Sequence, residues 1–136
     1  MNQMTVSAVV ENVKAVMRFV NERLDSLGCS DRIRVLVDVA VDEIFSNIAH
    51  YAYEAGTGTA TVRVEVEENP LSVVITFIDH GVPFDATTGE RPDTTKLPKK
   101  ERPIGGLGLF LVKNTMDDVT YEYKDGQNIL TIRKKI

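Results

Sequence analysis

Glu43 and Asn47 lie four residues apart in the run Asp42-Glu43-Ile44-Phe45-Ser46-Asn47, a spacing that puts both on one face of a helix. His50, seven residues on from Glu43, falls on the same stripe. A carboxylate and a carboxamide so placed can divide labour. The amide oxygen of Asn47 suits Mg²⁺, a hard cation that takes oxygen ligands. The carboxylate of Glu43 can accept a proton from an attacking hydroxyl or water. A solvated polar pair at this spacing would read the same way.

A second acid stands at a different kind of position. In Ile78-Asp79-His80-Gly81-Val82-Pro83-Phe84-Asp85, Asp79 ends an apolar run and enters a turn. Acids are poor in strand interiors, so Asp79 is either a turn former or a ligand group at a strand end. A buried carboxylate that accepts from an exocyclic amine selects adenine, because a base lacking that donor leaves the acceptor unpaired.

The third segment is Ile104-Gly105-Gly106-Leu107-Gly108-Leu109-Phe110. Its glycines allow close backbone approach to a ligand, and the N-terminus of a following helix offers free N–H groups to phosphate. The run lacks the Gly-Lys-Ser/Thr ending of a Walker A loop and is not GxGxxG after a strand. A glycine-rich helix cap with no ligand is the alternative.

The elements that must position these groups follow from periodicity. Val9, Val13, Val16, Phe19, Val20, Leu24 and Leu27 predict an amphipathic helix from about Ser7 to Leu27, stopped by Gly28. Ser30 or Asp31 caps a second helix with Ile33, Leu36, Val37, Ala40, Val41, Ile44 and Ile48 on its apolar side. Alternation from Thr59 to Glu68 predicts a half-buried strand. Asn69-Pro70 is a turn, and Leu71 to Asp79 completes an antiparallel hairpin. A proline-rich, apolar-poor stretch at about 85–104 carries Pro92, Pro98 and Pro103, with Pro83 just before it, and predicts a long binding or lid loop. A helix from about Leu107 to Met116 comes next. The strands Val119 to Tyr123 and Ile129 to Arg133 then join through Asp125-Gly126. Helices on one face of a mixed, largely antiparallel sheet make a two-layer α/β sandwich of the α+β class.

Composition sets the bounds. With 136 residues the chain fits a single domain, 1–136, able to bury a core without disulfides. The net charge of −4 argues against nucleic acid or an anionic membrane as the main partner. Cys29 stands alone, which excludes a disulfide framework and a Cys/His zinc site. The start, Met1-Asn2-Gln3-Met4-Thr5, has no signal-peptide pattern, and no window is long enough to span a bilayer. A cytoplasmic location is expected.

Taken in order, Glu43…Asn47, Asp79-x-Gly81 and Gly105-Gly106-x-Gly108 resemble the N, G1 and G2 boxes of the ATPase superfamily of gyrase, histidine kinases and MutL. The wording of DEIFSNIAHYAY, DHGVPFD and GGLGLFLVKNTMDDVTYEY is most similar to the anti-sigma-factor serine/threonine kinases of the RsbW and SpoIIAB kind. That resemblance implies a Bergerat-type fold, ATP with Mg²⁺, and phosphorylation of a Ser or Thr on an anti-anti-sigma (STAS) protein. By position it implies Glu43 as base, Asn47 as Mg²⁺ ligand and Asp79 as adenine acceptor. His50 and Gly81 would belong to the nucleotide pocket, Gly105, Gly106, Leu107 and Gly108 to the phosphate loop, and residues 85–104 to the ATP lid. Lys96, Lys99, Lys100 and Arg102 in that lid could reach phosphate, although a solvated basic loop is the default reading of the same residues.

The chain departs from the pattern at Pro83, where many superfamily members have a second glycine of the G1 box. Proline removes a backbone donor and fixes φ, which puts the turn's contact with nucleotide in doubt. Two functions of different class fit. One is a kinase that also binds a sigma factor, forms a homodimer, and touches neither nucleic acid nor membrane. The other is a nucleotide-gated, non-catalytic module that sequesters a sigma factor or another regulatory partner. No helix bearing a phosphoacceptor histidine precedes Asn47, which argues against a histidine kinase.

Overall fold

The structure, a computed structural model, describes residues 2–53, 58–85 and 107–136. Strand β1 is Gln3–Ser7. A single 3₁₀ turn, Val10–Asn12, leads into α1, Val13–Ser26. Helix α2 is Asp31–Tyr51, β2 Thr59–Glu67, β3 Ser72–Asp79, α3 Leu107–Thr115, β4 Asp118–Lys124 and β5 Gln127–Lys135. The strands form one five-stranded sheet in the order β1-β2-β3-β5-β4. Every neighbouring pair is antiparallel, so among the described residues the expected mixture of directions is absent.

Helix α2 forms where its sequence says it should. Ser30 is extended and its Oγ accepts from the Ile33 N–H at 3.3 Å, which satisfies one of the donors a helix start leaves over. The face carrying Val37, Ala40, Val41, Ile44, Phe45 and Ile48 is buried. This helix packs on α1 and on α3 and so is the centre of the helical layer. Polar contacts fix α1 against it: Asn21 Nδ2 donates to Asp38 Oδ1 at 2.7 Å, and Arg34 bonds Asn21 Oδ1 at 2.7 Å and also pairs with Asp25. The opposite wall of the core comes from alternate residues of the central strands, among them Val62, Val64, Ile75, Phe77, Leu130 and Ile132.

The N-terminal segment differs from its prediction. Val9 and Val10 continue the helical spacing, yet the α-helix starts only at Val13, and the residues before it bend out of an edge strand. Asn12 Nδ2 holds that bend by donating to the Ser7 carbonyl at 2.8 Å. Met17 packs against the core, whereas Val10 is exposed. Cys29 is half-buried with a free thiol. The β4–β5 hairpin turns as its Asp-Gly pair predicts, with positive φ at both Asp125 (54°) and Gly126 (75°). No helix is long and apolar enough to cross a membrane among the described residues.

Candidate functional site

The antiparallel register brings Asp79, the last residue of β3, between Ala60 of β2 and Asn128 of β5. Asp79 is only 2% exposed. Its Oδ1 accepts from the Gly81 N–H at 2.9 Å and from Asn128 Nδ2 at 2.8 Å. The bond from Gly81 makes Asp79 a turn former, yet it engages only one carboxylate oxygen, so the two sequence readings of Asp79 are compatible. Burial pushes the carboxyl above the ordinary carboxylate value, against the pull of the Asn128 and Gly81 bonds and of nearby His80.

The turn after Asp79 is closed by hydrogen bonds on every side. The His80 N–H donates to the Tyr53 hydroxyl at 2.9 Å, and that hydroxyl donates to the Thr59 carbonyl at 2.6 Å. The Val82 N–H donates to the Ala52 carbonyl at the end of α2, at 2.8 Å. The Phe84 N–H donates to Asn128 Oδ1 at 2.9 Å and lies 3.2 Å from the Tyr121 hydroxyl. With the Gly81 N–H on Asp79, each backbone donor of residues 80–84 has a partner inside the protein, and proline supplies none. Pro83 is thus the one residue of this turn with no backbone N–H to be paired.

Gly81 is required by packing. A Cβ at this position would lie 2.0 Å from the Ala52 carbonyl oxygen and 2.5 Å from its carbon, both backbone atoms. The turn is pressed onto the C-terminal end of α2, which ties Asp79 to the helix carrying Glu43 and Asn47. Asn47 is buried on that helix and Glu43 is half-buried. At 1.5 Å per residue, Asn47 lies about 7.5 Å back along the axis from Ala52, and Glu43 about 6 Å further. His50 does not share their burial: it is exposed near the helix end, its ring centroid 5.8 Å from that of Tyr51. The Tyr51 ring in turn faces Phe84 at 5.8 Å, a second apolar join between helix and turn.

Leu107 and Gly108 form the first turn of α3, which packs beside α2. Gly105, Gly106 and nearly all of the predicted lid, with Lys96, Lys99, Lys100 and Arg102, lie outside the described residues.

Sequence reasoning missed three residues of this site. Asn128 is 3% exposed and sits inside a strand, where asparagine is disfavoured; that mismatch is the signal that could have found it. Tyr121, whose hydroxyl donates to Asn128 Oδ1 at 2.5 Å, and Tyr53 carry no comparable signal. Burial raises both phenols above their ordinary value, so each remains a donor at neutral pH.

A buried carboxylate with one occupied oxygen, at the mouth of a turn fixed to a helix bearing an amide and a second carboxylate, can bind a polar ring at one end. Further along the same helix it can bind charge and move a proton. A family model described as histidine kinase-like ATPase domain matches residues 6–134. Among curated proteins, the chain is similar to the serine-protein kinase RsbW of Bacillus thuringiensis strain Al Hakam and that of Bacillus cereus strain 03BB102. Each is 29% identical over 117 residues, covering 79% of this chain and 72% of the relative. The protein of the same name from Bacillus mycoides strain KBAB4 is 28% identical over the same span.

Proposed function

Because the chain belongs to the histidine kinase-like ATPase domain family, we propose that it is an ATP-dependent serine/threonine protein kinase and anti-sigma factor. Its protein substrate is an anti-anti-sigma (STAS) partner, and its second partner is a sigma factor. The reading draws on the relatives named serine-protein kinase. The observation that carries the nucleotide part is Asp79, buried at a strand end with Oδ1 occupied by protein donors. Among the described residues no donor meets Oδ2, which is the acceptor for an adenine amine. Pairing of two copies belongs to the same reading, as does a cytoplasmic location.

The nucleotide lies along α2, base against Asp79 and phosphates toward Asn47, with Gly105, Gly106, Leu107 and Gly108 as the phosphate loop. Asn47, a buried carboxamide, suits a hard cation, and Mg²⁺ held there would neutralise phosphate charge as it shifts to the leaving oxygen. Glu43 takes the proton of the partner's hydroxyl. The hydroxyl oxygen bonds the γ-phosphorus, the bond to the bridging oxygen breaks, and ADP leaves with that electron pair. His50, exposed beyond Asn47, belongs to the nucleotide-binding set on this reading.

The test mixes the protein with γ-labelled ATP and STAS proteins from the same genome. Wild type should label one of them on Ser or Thr. Glu43→Ala should lose about 100-fold or more in rate, the usual worth of a positioned base, while still binding ADP and the partner. If the variant and wild type regulate the partner equally and neither transfers label, the protein is a nucleotide-gated binding module.

A further inference from the structure

We propose that Asn128 is the positioning residue of the adenine end of the site, with Tyr121 as its brace. The proposal rests on the reading of Asp79 as adenine acceptor. A carboxamide has two N–H donors and an oxygen with two lone pairs, and all four are used here. Nδ2 donates to Asp79 Oδ1 and to the Val82 carbonyl, each at 2.8 Å. Oδ1 accepts from the Phe84 N–H at 2.9 Å and from the Tyr121 hydroxyl at 2.5 Å. The partners fix which way the amide faces, because a flipped amide would set its N–H groups against the Phe84 N–H and its oxygen against the Val82 carbonyl and Asp79 Oδ1.

The consequence falls on Asp79. The Gly81 N–H alone holds one oxygen by a local bond that tolerates rotation of the carboxylate. A second donor arriving from β5, directly across the register, pins Oδ1 and thereby decides that Oδ2 is the oxygen left for a ligand. The same side chain holds the Val82 carbonyl and the Phe84 N–H, so it templates the whole turn. Neither threonine nor aspartate could do this. Threonine has a single donor, and ionised aspartate would set a second charge against Asp79.

ADP and inosine diphosphate (IDP), which replaces the exocyclic amine by a carbonyl, distinguish positioning from simple structural support. Wild type should prefer ADP in calorimetry. Asn128→Ala should weaken ADP about tenfold, the worth of one hydrogen bond to a charged group, and leave IDP nearly unchanged, so the preference collapses. Tyr121→Phe, which removes one hydroxyl and leaves the amide in place, should lower the ADP preference in the same direction by about threefold, a weaker neutral bond. Should Asn128→Ala fail to fold, the Tyr121→Phe result decides. A folded variant that weakens both nucleotides equally, or keeps the wild-type preference, overturns the proposal and leaves the Asp79 reading standing. Wild type binding ADP and IDP alike would remove the adenine reading itself, and this proposal with it.

Discussion

The carboxyl of Asp79 sits in a place that resists its charge. Burial lifts its pKa, and the Asn128 and Gly81 donors only partly offset that. An acid whose folded pKa is raised favours folding fully only below its unfolded value, and that contribution is lost as pH rises through the folded value. The ionised form of Asp79 therefore works against the fold. Asp79→Asn, which can keep an oxygen toward Gly81 and Asn128, should be more stable than wild type in urea at neutral pH. The advantage should vanish as pH falls below the ordinary carboxylate range. ADP binding should meanwhile weaken by about 10- to 150-fold, the ~1.5–3 kcal/mol of a hydrogen bond to a charged group. A stability difference that is the same at every pH would contradict the burial argument. Asp79 was legible in the sequence as an acid out of place at a strand end. Asn128 was not, because its meaning depends on a partner 49 residues away that only the strand register supplies.

Among the elements, the join between the end of α2 and the turn after β3 decides whether the proposed acceptor, Asp79, and the proposed base, Glu43, belong to one site. Gly81 against the Ala52 carbonyl is the tightest point of that join. Gly81→Ala must push backbone from backbone and stretch the Val82 bond to Ala52. We expect a loss of about 1–3 kcal/mol of stability in urea unfolding, with ADP affinity reduced as Asp79 shifts from α2. Unchanged melting would mean that the turn has room to spare. Helix α2 and the two hairpins were legible because Ser30, the alternation of β2 and the Asp-Gly pair are local signals. Strand β1 was not. It is five residues long, has only Met4 and Val6 packed against the core, and exists because β2 offers it an edge.

For the whole molecule, one core supports both layers, and the helix that carries the candidate chemistry is also the centre of that core. Phe45, fully buried, stands between Glu43 and Asn47 and is among the largest side chains inside. Phe45→Ala should cost about 3–5 kcal/mol in equilibrium unfolding, a large part of the ~5–15 kcal/mol that holds a domain of this size together. A cost under about 1 kcal/mol would show that the core can collapse around the gap. The sandwich itself was legible from the alternation of helical and strand periods; the strand order was not, since β5 enters the sheet between β3 and β4. That insertion sets an order of events. Pairings between segments distant in sequence form late, after loop closure has been overcome, and β5 leaves the ribosome after the other four described strands. A nascent chain still lacking it holds Asp79 without its partner amide and the Phe84 turn without its template. On the proposed reading of Asp79, nucleotide binding reports that β5 has joined the sheet, and a fragment cut short before Gln127 should be silent toward ATP.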